Sequence, residues 1–460
     1  MIEVNRKTSA LLKLGGSSVN FKIMSAIEDQ LLKVRKQLTG RLEIEPARLS
    51  ELYQKLTNLP RLKDELDSCD FENQPTAFVL EAILAGALAN RASDIHLEPE
   101  EKATKLRLRI DGQLYNVTSL NKRVYPHLLS RIKLLARLKI NVVNESQDGR
   151  FTVVLPRKEA EIRVSVVPAG YGETVVLRLL DPEMIEVELT GLGLRADDLM
   201  RVEEELKKPN GLILNTGPTG SGKTTTLYAF LRYKQRPEIK IITIEDPIEY
   251  RLEGVEQTQV DTGGSYDFQN GLRSIMRQDP DVILVGEIRD RETAEMAIQA
   301  ALTGHLVFST VHANDALGAI PRLVDLGVKE VSVDPATNLI MAQRLLRRLC
   351  GYCREREAPD ESLKQKIEQF LNNLAAGVIK PKIEEIQIFA ASRSGCDYCG
   401  RFGYRGRVGI FELLPVDDRT KKPAVTLQED GLLKVLTGIT TWSELTAVTG
   451  PLIWGQNSPF

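Results

Sequence analysis

Gly211 to Phe230 reads GLILNTGPTGSGKTTTLYAF, and the reading of this stretch decides the fold. Leu212, Ile213 and Leu214 form a short apolar run with the length of a buried strand. Gly217, Pro218, Thr219, Gly220, Ser221, Gly222, Lys223 and Thr224 then satisfy G-x-x-x-x-G-K-[ST] in full, and Thr225 carries the chain into an expected helix. Glycines at 217, 220 and 222 let backbone N–H groups converge on an anion, because a Cβ obstructs several of the backbone angles such a nest requires. Lys223 can reach the β- and γ-phosphates of a nucleotide, and Thr224 can place its hydroxyl on Mg²⁺. The helix start adds partial positive charge at the same point. A glycine-rich turn that binds nothing is the bland alternative, and it does not explain why a strand precedes the motif and a helix follows it.

Outward from this stretch, strands alternate with helices. Ile241 to Ile244 is an apolar run that ends at Glu245-Asp246-Pro247, and Val282 to Val285 ends at Gly286-Glu287. Leu306 to Val311 is flanked by His305 and His312. Continuous apolar runs are the mark of parallel strands buried on both faces, and ligands collect at the carboxyl ends of such strands. The expected fold class is therefore α/β, a P-loop NTPase core on a RecA-like parallel sheet. Glu245, Asp246, Glu287 and His312 fall just past strand ends, as the phosphate loop does, so one crevice can gather them. Each acidic residue taken alone reads equally as a helix cap. Thr224 and Glu287 are the candidate Mg²⁺ holders, and Glu245 or Glu287 the candidate that orients an attacking water; spacing does not separate those two roles. Arg163, Arg178, Arg273, Arg277 and Arg289 are candidate cations for the transferring group, against the plain alternative of surface ion pairs.

Before the core, Pro75 to about 185 alternates in the manner of a compact α+β domain. Ala77–Asn90 and Pro126–Leu138 have helical spacing, and Leu106 to Ile110 alternates as L-R-L-R-I before the turn Asp111-Gly112. Strand patterns follow at 151–155, 161–167 and 174–179. His96 and His127 stand there without a second ligand at metal-like spacing and read as structural. Residues 1–75 are charged and helix-like through Ile23–Leu38 and Leu49–Leu66, with Cys69 an isolated thiol. The expected organisation is 1–75 a helical region, 76–185 the small domain, 186–194 a hinge containing Gly191 and Gly193, and 195–460 the ATPase domain.

The chain has 460 residues, 42% of them apolar and 27% charged, as in an ordinary multidomain soluble protein. With 61 basic and 63 acidic residues the formal charge is -2, which argues against coating nucleic acid by bulk charge. No apolar run approaches the roughly 18 to 20 residues needed to cross a bilayer, so a cytoplasmic protein is expected. Four of the five cysteines are paired as Cys350-Gly-Tyr-Cys353 and Cys396-Asp-Tyr-Cys399, with 42 residues between the pairs. Two such knuckles supply four thiolates to tetrahedral Zn²⁺ with no open position, a structural site within a subdomain at about 345–412; redox-active dithiols are the competing reading.

The motifs coincide in order and spacing with a known family. SDIHLEP (93–99), LRIDG (108–112), GPTGSGKTTT (217–226), ITIEDPIEY (242–250), GLRSIMRQDPDVILVGEIRD (271–290) and TGHLVFSTVHANDA (303–316) make the chain resemble the type II secretion and type IV pilus assembly ATPases over about residues 76–455. The resemblance places Glu245 in an aspartate box, Glu287 in an atypical Walker B and His305 and His312 in a histidine box. It matches Arg163 and Arg178 to arginines that reach a neighbouring subunit's nucleotide. It implies ATP, Mg²⁺ and Zn²⁺ as ligands and a homohexamer on the inner face of the cytoplasmic membrane. The implied partners are an integral platform protein and a cytoplasmic-face adaptor, not nucleic acid. Similar assembly ATPases carry the tetracysteine insertion and the pilus-retraction ATPases generally lack it, which favours assembly. A strand-translocating nucleic-acid motor, a retraction ATPase and a nucleotide-binding scaffold are the rivals. The sequence departs from the family in a first 75 residues that are shorter and more charged than the usual docking domain, and in an abbreviated Pro415–Thr426.

Overall fold

A computed structural model describes residues 40–69, 76–155, 159–180, 187–261, 264, 266–416 and 422–454. The expected helix at Ile23–Leu38 and part of the 181–194 connection lie outside the described residues. The chain divides into two compact units, one of 40–110 and 114–180 and one of 111–113 and everything from 187 onward.

The first unit is built on a seven-stranded sheet ordered β1 (Arg41–Glu43), β5 (Gln147–Val154), β6 (Glu159–Ala169), β7 (Gly172–Leu180), β2 (Ala92–Pro99), β3 (Ala103–Ile110), β4 (Gln113–Asn121). Alternation decides its two faces. Ile95, Leu97, Leu106, Leu108, Ile162, Val164, Val175 and Leu177 are buried. The helix Thr76–Ala89 contacts β2 and the helix Tyr125–Leu135, and so sits over this layer. The helix-like stretch Leu49–Leu66 is two helices, Pro46–Lys55 and Leu59–Asp67, because Asn58 takes an extended conformation and caps the second by accepting from Arg61 N. Both pack on Thr76–Ala89, where a Cβ on Gly86 would meet Leu62 Cδ1 at 2.5 Å. Cys69 is a free thiol bonded to the Glu65 carbonyl.

The opposite face is polar. Arg150, Arg163, Arg178, Asp94 and Arg109 stand directly opposite one another on β5, β6, β7, β2 and β3, a single row across five strands. His96 lies one pleat along β2 from Asp94, 3.9 Å from Glu98, and burial lowers its proton affinity.

The second unit has a sheet ordered β10 (Glu256–Gln259), β9 (Ile241–Glu245), β11 (Val282–Val285), β12 (Leu306–Val311), β8 (Gly211–Thr216), β13 (Thr337–Leu349), β16 (Tyr404–Pro415). Every neighbouring pair is parallel except β13 with β16. Both faces are buried: Leu212, Ile242, Ile283 and Val307 enter one apolar cluster, and Ile213, Ile241, Leu284 and Phe308 the other. That double burial is why these strands read as unbroken apolar runs. The expected P-loop core on a parallel sheet, with a smaller α+β unit before it, is the architecture observed.

The 42 residues between the cysteine pairs carry β14 (Glu355–Glu357), the helix Glu361–Asn373 and β15 (Ile388–Ala390). Ile367, Phe370 and Leu371 of that helix share a core with Leu432, Val435 and Leu445 of the C-terminal helices Leu427–Leu436 and Trp442–Thr449. The insertion is therefore not free-standing. Of the abbreviated stretch before Leu427, residues 417–421 lie outside the described residues.

Candidate functional site

The phosphate loop leaves the end of β8 and closes into the helix Lys223–Lys234, whose N-cap is Gly222 at φ +90°. Gly217 has φ +150°, and a Cβ there would sit 2.6 Å from the Gln343 carbonyl, so the position demands glycine on steric grounds. Gln343 on β13 buttresses the loop from behind, its Oε1 accepting from Asn215 and Thr226, both at 2.9 Å. Lys223 donates to the carbonyls of Gly217 at 2.7 Å and Pro218 at 3.1 Å, which holds its ammonium over the loop. Burial lowers its proton affinity, and the charge of Glu287 works in the opposite direction.

Four strand ends open onto one crevice of about 290 Å³, lined among others by Thr219, Lys223, Thr224, Tyr228, Glu245, Asp246, Glu287, Arg289, Thr310 and His312. Glu245 is the last residue of β9, and Glu287 stands two residues past β11, the adjacent strand. Thr310 Oγ1 donates to the Gly286 carbonyl at 2.8 Å and the Ile288 N–H to the Thr310 carbonyl, so β12 fixes the turn that presents Glu287. The Thr216 hydroxyl at the end of β8 donates to the Ala313 carbonyl at 3.0 Å and accepts from the Ala313 N–H at 2.8 Å, which places His312 beside the loop.

The two carboxylates have different surroundings. Glu287 lies beside the Arg289 guanidinium, with Nη2 at 2.5 Å, and the His312 imidazole, with Nε2 at 3.7 Å. Glu245 is 4% exposed, and among the described residues its hydrogen-bond donors are all neutral, Tyr228 on one oxygen and Thr243 (2.6 Å) and Gln257 (3.3 Å) on the other. Burial raises its proton affinity, and the three donors pull it partly back down.

Other candidates are placed elsewhere. His305 precedes β12 and His312 follows it, roughly 20 Å apart along an extended strand, and His305 Nδ1 lies 3.0 Å from the Ala300 carbonyl. Arg273 and Arg277 are exposed and do not line the crevice. Arg163 and Arg178 belong to the first unit, within the cationic row; Arg178 Nε lies 3.0 Å from Asp94 and its side chain is 56% exposed, while Arg163 lies 3.7 Å from Glu161. Tyr228 and Gln257 were missed from the sequence. The available signal was that Thr224 and Tyr228 are four apart on one helix, so that their side chains share the face toward the loop.

Cys350, Cys353, Cys396 and Cys399 bring their sulfurs within 4.8 Å of one another. The register that pairs Leu349 with Tyr404, continued by the Cys350 N–H to the Gly403 carbonyl, folds one knuckle onto the other, and Tyr352 and Tyr398 touch with ring centroids 4.5 Å apart. Burial opposes ionisation of Cys399, yet N–H groups of Cys396 and Gly403 directed at its sulfur bring it down to about 7, a thiol partly ionised at neutral pH. This cluster can hold a metal ion.

A phosphate loop on a parallel sheet, with carboxylates at neighbouring strand ends, defines a P-loop ATPase. The family described as Type II/IV secretion system protein matches residues 70–447. The chain is 43% identical over 418 residues to type II secretion system protein E of Klebsiella pneumoniae, covering 87% of this chain and 80% of that protein. It is 40% identical over 413 residues to the type IV pilus assembly ATPase PilB of Myxococcus xanthus, covering 85% and 71%. Among solved structures, the pilus retraction motor PilT with bound ADP aligns with a TM-score of 0.52 at 27% identity, covering 79% of this chain and 95% of that one. The chain belongs to the type II/IV secretion system protein family, and it is a secretion ATPase in which ATP hydrolysis is coupled to secretion or pilus assembly.

Proposed function

We propose that this protein is the motor that drives pilus or pseudopilus subunits out of the membrane, as a homohexamer at the cytoplasmic face of the inner membrane beside an integral platform protein. The observation that carries the reading is the convergence of Lys223, Thr224, Glu245, Glu287 and His312 on one crevice at the carboxyl ends of β8, β9, β11 and β12. Backbone N–H groups of the loop from Thr219 to Thr225 and the Lys223 ammonium bind the phosphates. Thr224 and Glu287, the latter directly or through water, hold Mg²⁺, which when bound offsets phosphate charge. The contrast between the carboxylates supports a division of roles: the buried carboxylate of Glu245, among neutral donors and with a raised proton affinity, suits water orientation, which leaves Glu287 for the metal. Glu245 accordingly orients the water. Arg163 and Arg178 serve the nucleotide of a neighbouring subunit, a reading supported by their place in one cross-strand row with Arg150 and Arg109 and by the 56% exposure of the Arg178 side chain. Turnover is expected to rise severalfold on vesicles carrying the platform protein and to ignore DNA and RNA. Stimulation by nucleic acid alone would favour a strand-translocating motor instead.

The metal is zinc. Four sulfurs around Zn²⁺ at about 2.3 Å form a tetrahedron with edges of about 3.8 Å. Cys350 and Cys396 are 3.7 Å apart, and Cys353–Cys399 and Cys396–Cys399 both 3.8 Å. Elemental analysis is expected to find one Zn²⁺ per subunit. Cys350→Ser should lose most of it and speed amide exchange locally between about 345 and 412, leaving the phosphate loop protected, since metal binding energy is folding energy in such modules. Protein free of zinc with its thiols oxidised would contradict the assignment.

A further inference from the structure

We infer that Tyr228 is a positioning residue for hydrolysis: its hydroxyl, together with Thr243 and Gln257, fixes the Glu245 carboxylate so that a single acceptor direction is left for the attacking water. This rests on the reading of Glu245 given above and adds the groups that make it work. A carboxylate offers about four lone-pair sites. Tyr228 occupies one on Oε2, and Thr243 and Gln257 two on Oε1, at 2.6 and 3.3 Å. Among the described residues Glu245 makes no ion pair; neutral hydrogen bonds hold its carboxylate, and the charge of nearby Glu249 adds to burial in raising its proton affinity.

The three donors come from three elements. Tyr228 stands one turn beyond Thr224 on the helix that the phosphate loop opens, Thr243 lies two residues before Glu245 on β9, and Gln257 is on the edge strand β10. Tyr228 is fully buried, with its ring edge-on to Tyr250 at 4.5 Å, and burial pushes its pKa far up, so it remains a neutral donor throughout the working range. Gln257 also donates to the Tyr250 carbonyl at 3.1 Å and reaches the Tyr228 hydroxyl at 3.4 Å, which closes the network. The same helix thus holds the phosphates at its start and the water-orienting carboxylate one turn later. A shift of the helix on nucleotide binding would be transmitted to Glu245 through the Tyr228 hydroxyl.

Tyr228→Phe removes that hydroxyl and keeps the ring in its packing. In the full-length protein kcat for ATP should fall about 10- to 100-fold, the range for losing a partner that orients a catalytic group, with KM within about twofold of wild type. The acidic limb of the kcat–pH profile should move to higher pH, because a hydrogen bond to the charged carboxylate is lost and protonation becomes easier. Thr243→Val should move both readouts in the same directions, and it carries the test if Tyr228→Phe fails to fold. Adding Tyr228→Phe to Glu245→Gln should cost nothing further. Wild-type kcat in both single variants, an unmoved acidic limb, or a full additional loss in the Glu245→Gln background would each overturn the inference. Wild-type turnover by Glu245→Gln would remove the underlying reading, whereas an inactive Glu245→Gln beside a wild-type-like Tyr228→Phe removes only the positioning role.

Discussion

Lys223→Ala is expected to abolish measurable ATP hydrolysis, a loss on the order of a thousandfold or more, and to weaken nucleotide binding. The ammonium is held over the loop by the Gly217 and Pro218 carbonyls, with burial around it, so its charge acts on phosphate in a medium of reduced dielectric. Alanine leaves the loop backbone in place, since the glycines and Gln343 determine its course, and deletes only the charge. Turnover and nucleotide affinity measured side by side check this; full turnover would end the phosphate-loop reading. The same variant tests the arginines. Mixed with Arg163→Ala/Arg178→Ala at concentrations that favour rings with exchanging subunits, Lys223→Ala should regain part of the activity, because an intact loop on one subunit meets intact arginines on the next. An arginine supplied in trans contributes about a thousandfold or more to phosphoryl transfer. If mixed rings form without activity, and the arginine variant hydrolyses normally when dilute, these arginines are surface ion pairs.

Glu245→Gln and Glu287→Gln should both bind ATP and turn it over at least about a hundredfold more slowly, the scale of losing a positioned base or a metal partner. Their pH behaviour should differ. Glu245 must be ionised to accept a proton, and burial raises its proton affinity, so wild-type activity should fall on the acid side at a higher pH than an ordinary carboxylate dictates. Glu245→Gln should erase that limb from the residual rate, and Glu287→Gln should keep it. In Glu287→Gln the dependence on Mg²⁺ should instead shift to higher concentration. A variant with wild-type turnover would demote its carboxylate to a capping role.

How much of this was legible in the sequence follows from where each property resides. In the phosphate loop the residue identities are themselves the chemistry: glycines where φ is positive, lysine for charge, threonine for its hydroxyl. The runs at 241–244, 282–285 and 306–311 announced buried parallel strands because both of their faces are covered, and Glu245, Glu287 and His312 followed as residues at or just past strand ends. The cysteine pairs were equally plain, since each knuckle is local.

Long-range pairing was not legible. Arg41 to Glu43 shows no strand alternation, yet it adds a parallel strand beside β5. The placement of four arginines and Asp94 in one row depends on the register of β5, β6, β7, β2 and β3, which the hairpins and bulges set together. The meeting of the two knuckles depends on β13 and β16, whose arginines obscured the strand pattern. Sequence by itself determined the fold class, the phosphate chemistry and the presence of four thiols, because these are properties of short segments and residue types. Tertiary structure alone decided that Tyr228, Thr243 and Gln257 surround Glu245 while Arg289 and His312 face Glu287, since the orientation of a side chain depends on which neighbours bury it.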